Sequence, residues 1–155
     1  MLMKLAPKKR SNPRNFFLGL AALVVIAGTG RYFAYKAGEE KTAQLTQLAE
    51  RLEQLNRALP RQLDAITRLE YMGLAYSDTI LYRYRIELQA SSLSAEQTSD
   101  MQAGLRRGLE QLACKEPQLL AAMRKLKIHQ EHIYLAGDSK LFTIDLYPER
   151  LECAG

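Results

Sequence analysis

Three features of the chain predict an α+β fold carried on a membrane anchor. An apolar stretch without charge follows a basic N-terminus, and leucines at helical spacing come next. Strand-like alternation then appears in two pairs, one on each side of a helical stretch that opens on a capping box. The expected order after the anchor is one amphipathic helix followed by β-β-α-α-β-β, a small domain with two helices on one antiparallel sheet. With 155 residues, 47% hydrophobic and 25% charged, the chain suits one globular domain with an appendage. That composition excludes a large multidomain enzyme, a disordered chain and a multi-spanning protein.

Residues 1–14 hold Lys4, Lys8, Lys9, Arg10 and Arg14 and no acid. These five account for the net charge of +5, because the other 17 bases are balanced by 17 acids. The rest of the chain therefore lacks the basic patch a nucleic-acid interface needs, and nucleic acid is not an expected partner. Asn15 to Gly30 follow, sixteen residues without a charge. As a helix they reach about 24 Å, close to the bilayer core of about 30 Å. Arg31 and Lys36 can snorkel outward while Tyr32, Phe33 and Tyr35 sit at the headgroups, so a transmembrane helix is predicted over 15–37. A cleaved signal peptide is the alternative, for which Gly28-Thr29-Gly30 offers a poor cleavage site. The five bases orient the N-terminus to the cytosol and the remainder outward, which in a bacterium means a single pass through the inner membrane and a periplasmic domain. The lipid bilayer is thus the first expected partner.

A juxtamembrane helix is predicted over 38–60, where Leu45, Leu48, Leu52, Leu55 and Leu59 recur at 3-4-3-4 spacing. Two heptads do not sustain a coiled coil alone, so this stripe needs a surface. Two destinations are open: the chain's own domain, or a stalk that pairs through residues 39–59 with another copy or an envelope protein. Pro60 stops or kinks the helix.

Residues 61–155 form the expected periplasmic domain. Thr67–Tyr76 and Thr79–Leu88 read as a hairpin turning at Ser77-Asp78. In the second strand Tyr82, Tyr84, Ile86 and Leu88 alternate with Arg83, Arg85 and Glu87, which places core tyrosines opposite a solvated arginine face. Ser94-Ala-Glu-Gln97 is a capping box, and Met101, Leu105, Leu109 and Leu112 continue the helix to near Cys114. Pro117 restarts a helix that runs to Leu126. Ile128–Leu135 and Leu141–Leu146 read as a second hairpin about Ala136-Gly-Asp-Ser-Lys140. Outside the cytosol, Cys114 and Cys153 read as a disulfide that pins the C-terminal strand. His129 and His132, three apart on a strand, point to opposite faces; a shared metal site is not expected, and both are expected to be partly exposed.

The sequence holds no GxSxG, HExxH, Walker loop or glycine-rich phosphate turn, so neither an enzyme nor a cofactor is expected. Asp64 with Glu70, or Asp138 with Asp145, are the carboxylate pairs that folding could bring together, with surface acids as the plainer reading. The run Leu59-Pro-Arg-Gln-Leu-Asp-Ala-Ile-Thr-Arg-Leu69, Tyr82-Arg-Tyr84, Cys114, Tyr134–Asp138 and Cys153 resembles a loosely defined group of small single-span bacterial envelope proteins with a disulfide-closed α+β periplasmic domain. The group has no assigned activity. The resemblance implies the fold, the disulfide and the periplasm, and it transfers no functional residue. Ala136-Gly137 departs from it where the group more often has a charged turn. The function expected is that of a non-catalytic structural or accessory subunit of a cell-envelope complex. The alternative is a periplasmic inhibitor or immunity-type protein that binds a toxin or hydrolase.

Overall fold

Residues 41–153 are described by a computed structural model. The predicted basic tail (Lys4, Lys8, Lys9, Arg10, Arg14) and the transmembrane helix over 15–37 lie outside the described residues. Among the described residues no helix is long and apolar enough to cross a membrane.

Five strands form one sheet in sequence order: β1 (Arg61–Gln62), β2 (Thr67–Ala75), β3 (Thr79–Ile86), β4 (His129–Ala136) and β5 (Ser139–Leu146). Both expected hairpins are present. The first turns through Tyr76 and Ser77, which hold φ of 55° and 62°, and the second turns at Gly137, with φ 58°. Glycine adopts that backbone freely, whereas a tyrosine there is uncommon. The central pairing corrects the all-antiparallel expectation, because β3 and β4 run parallel, Thr79 beside His129 and Ile86 beside Ala136. Alternation within a strand reveals its faces but not its neighbour's direction. The two helices between β3 and β4 form the crossover that parallel pairing requires.

Those helices are α2 (Ala95–Cys114) and α3 (Pro117–Leu126); the described helix before the sheet is α1 (Lys41–Asn56). The capping box forms as expected: Ser94 Oγ accepts from Gln97 N–H at 3.1 Å, and Gln97 Oε1 accepts from Ser94 N–H at 2.9 Å. Pro117 occupies the first turn of α3, and Lys127 ends that helix in the left-handed conformation.

All three helices contribute to one core on one side of the sheet. Leu48 and Leu52 of α1, Leu105 and Leu109 of α2 and Leu126 of α3 join Leu69, Tyr84, Tyr134, Phe142 and Ile144 of the strands. Leu45, Leu55 and Leu59 pack against this cluster, so the leucine stripe serves its own domain and is not the free partner seam of a stalk. The spacing that suits a coiled coil also suits a helix lying on a sheet. Asn56 Oδ1 accepts the Met72 N–H at 3.1 Å and fixes the end of α1 to β2. After β5, the expected last strand, the chain makes a short 3-10 turn, Pro148–Arg150.

Candidate interaction surface

Alternation leaves a second face on the sheet, and it bears Arg68, Tyr71, Leu81, Arg83, Arg85, Glu131, Ile133, Leu135, Thr143 and Asp145. None of these belongs to the core cluster, and the described helices pack on the other side.

A carboxylate organises the β2–β3 half of this face. The register of β2 against β3 shifts between Leu69 and Tyr71, so Glu70 is the extra residue of a bulge. Arg85 Nε donates to Glu70 Oε1 at 2.6 Å and Nη2 donates to Oε2 at 3.1 Å, a bidentate pair. Arg68 Nη2 adds a third bond at 3.3 Å, and Arg83 Nε lies 4.0 Å from Glu70 Oε2. The hydrogen bonds from Arg85 hold the Glu70 carboxyl below its ordinary range against the opposing effect of burial. The bond to Glu70 likewise strengthens the proton affinity of Arg85. Arg85 Nη1 reaches across to the Gly137 carbonyl and to Asp138 Oδ1, 3.5 Å away, tying the two hairpins together. The Arg83 guanidinium lies 5.5 Å from the centre of the Tyr71 ring, which itself lies over Gly73. Arg83 remains half-exposed, with a side-chain exposure of 49%.

The β4–β5 half carries the opposite sign. Glu131 and Asp145 stand directly opposite each other across the antiparallel pair. No cation of the described residues pairs with either carboxylate. Like charges so placed repel. Leu81, Ile133 and Leu135, all half-buried, fill the ground between the two halves. The carboxylate pairs that folding could have brought together do not form: Glu70 sits on this face, whereas Asp64 Oδ1 caps the N–H groups of Ile66 and Thr67 at 2.9 Å each. Asp138 faces Arg85, and Asp145 faces Glu131.

The histidines point to opposite faces as expected, but only His129 is partly exposed. His132 is 3% exposed and stacks on Tyr82 with ring centres 4.6 Å apart. Tyr84 Oη lies 3.0 Å from His132 Nδ1, and Gln130 Oε1 lies 3.1 Å from Nε2. In the neutral ring that burial enforces, Nε2–H donates to the amide oxygen and Nδ1 accepts from the tyrosine hydroxyl. Burial pushes its pKa down to about 3. Period-2 alternation separates the two histidine rings without saying which faces the core, and nothing in the sequence signals the hydroxyl and amide that satisfy His132 there.

Cys114 and Cys153 form the expected disulfide, with Cα atoms 5.4 Å apart. A native disulfide fits an oxidising, extracytoplasmic setting. Arg124 also secures the tail, donating from Nε to the Pro148 carbonyl at 3.0 Å.

Fold and face together define a small disulfide-closed α+β domain with a helix-covered side and a charged sheet side that the described helices leave open. Comparison with protein-family models gives no match, and comparison with curated proteins gives none. Among solved structures the chain is similar to a Pseudomonas aeruginosa protein described as secreted. The two share 15% identity over 66% of this chain and 90% of that one, with a TM-score of 0.47.

Proposed function

We propose that this is a single-pass bacterial inner-membrane protein that serves as a non-catalytic structural or accessory subunit of a cell-envelope assembly. Its periplasmic domain makes its protein contacts through the open sheet face. The observation that supports this reading is the build of that face. A purely solvated surface has no need of a bidentate ion pair whose arginine also reaches the second hairpin, a guanidinium over a tyrosine ring and two carboxylates left facing each other. Arginine and tyrosine are also the residues enriched where interfaces concentrate their energy. The membrane anchor rests on the basic N-terminus and the apolar stretch over 15–37.

The test is purification of tagged full-length protein from its native membrane in mild detergent, with co-eluting proteins identified by mass spectrometry. A stoichiometric partner or a second copy, lost on Arg83→Glu, is the expected result. A protein that runs alone as a monomer, unchanged by that substitution, overturns the reading.

A second reading is an inhibitor or immunity-type binder, favoured by one observation: α1 closes the core, so the binding unit needs no stalk. Under it, residues 41–155 exported free of the membrane segment keep full binding of a soluble periplasmic target.

A further inference from the structure

The open face carries both signs of charge in an arrangement that has its own symmetry. Arg83 stands beside Ile133 and Leu81 beside Glu131 in the β3–β4 register. These four therefore occupy the corners of a rectangle about 4.8 Å wide and about 6.7 Å long, two strands by two residues. The apolar pair takes one diagonal and the charged pair the other. One step further out along the strands and across the sheet lie Arg85 on β3 and Asp145 on β5, again of opposite sign.

We propose that the occupant of this face is a second copy of the chain, packed sheet against sheet about a two-fold axis that runs between the two charged corners. This rests on the reading of the face as a protein contact and names the partner. The axis exchanges Arg83 with Glu131, so each copy's guanidinium meets the other's carboxylate. The same rotation brings Arg85 of one copy onto Asp145 of the other, while Leu81 and Ile133 fall near the axis and meet their own counterparts. An isologous contact demands a self-complementary patch, and this patch has that property in both charge and apolarity. The strands of the two sheets then cross at about 70°, nearer the orthogonal than the aligned way in which sheets pack face to face. The contact supplies what the described residues of each copy lack: a cation for Glu131 and Asp145, which repel each other, and a full carboxylate for Arg83. Among the described residues Tyr76, 90% exposed at the first hairpin tip, is the one exposed large hydrophobic away from this face, and it is a single side chain.

Sedimentation equilibrium of the full-length protein in mild detergent tests the proposal. Wild type is expected to be a dimer. Arg83→Glu and Glu131→Arg should each weaken it at least tenfold, and the double reversal should return the dissociation constant to within about threefold of wild type. Ile133→Glu at the axis should weaken it as much without rescue by either reversal, and unchanged disulfide content and thermal melts show that each variant folds. If wild type is monomeric but holds a different protein that Arg83→Glu releases, the second copy is wrong and the functional reading stands. If wild type is a dimer that neither single reversal loosens, this face is not its interface and the proposal fails. A monomer with no face-dependent partner overturns both readings.

Discussion

Buried His132 makes the domain sensitive to acid through one group. Its pKa in the folded protein, about 3, lies below the value of about 6.5 in an unfolded chain. The stabilisation tied to the neutral ring is therefore complete above about pH 6.5 and is lost as pH falls, because the unfolded chain takes up a proton that the folded one refuses. Urea unfolding at successive pH values should show stability dropping by about 1.4 kcal/mol per pH unit between about pH 6 and pH 4. Glu70, also held below its ordinary range, steepens the loss only at the acid end of that window. His132→Gln should flatten the slope while costing about 1–3 kcal/mol at neutral pH, since the Tyr84 hydroxyl loses its acceptor in a buried site. A second residue-scale test concerns Gly73, where an added Cβ would meet Tyr71 Cζ at 2.8 Å. Gly73→Ala should lower stability by about 1 kcal/mol in thermal melts, and by less in a Tyr71→Ala background, because the ring that obstructs the methyl is then gone.

Among the elements, β5 is an edge strand and α2 guards it. Gln102 Nε2 donates to the Thr143 carbonyl at 3.0 Å, and Arg106 Nη1 donates to the Asp145 carbonyl at 3.1 Å. One helical turn separates the two donors, so they meet outward carbonyls two residues apart along the strand. The pair Gln102→Ala and Arg106→Ala should leave the fold intact and raise concentration-dependent scattering, because a bare strand edge recruits other strands. Most elements were legible in the sequence for local reasons: alternation marked β3, extended runs flanking turn residues marked β2, β4 and β5, and Ser94 with Gln97 marked the start of α2. β1, two residues long, has no period to detect. The bulge that brings Glu70 to Arg85 was equally invisible, because alternation assumes an unbroken register. The leucine stripe announced an apolar face without saying what would cover it, and the cover proved to be β2 and the core behind it.

At the scale of the whole molecule, the disulfide closes a loop over a separation of 39 residues and ties the end of α2 to the tail beyond β5. In the chain-entropy model this stabilises by about 4 kcal/mol, a large share of what a domain of this size has in total. Cys114→Ser with Cys153→Ser should show a loss of about 3–4 kcal/mol in urea unfolding, and limited proteolysis should then cut within 147–153. The fold class was readable at this scale, and so was the bridge. The parallel centre was not, because it depends on where two helices deliver the chain and no local pattern records that. It also bears on how the chain reaches its native state. Each hairpin joins residues close in sequence and can zip in microseconds, whereas the central seam must bring Thr79 to His129, 50 positions away. The hairpins' side-by-side docking, over a loop occupied by α2 and α3, is the pairing in the sheet that carries the largest loop-closure cost.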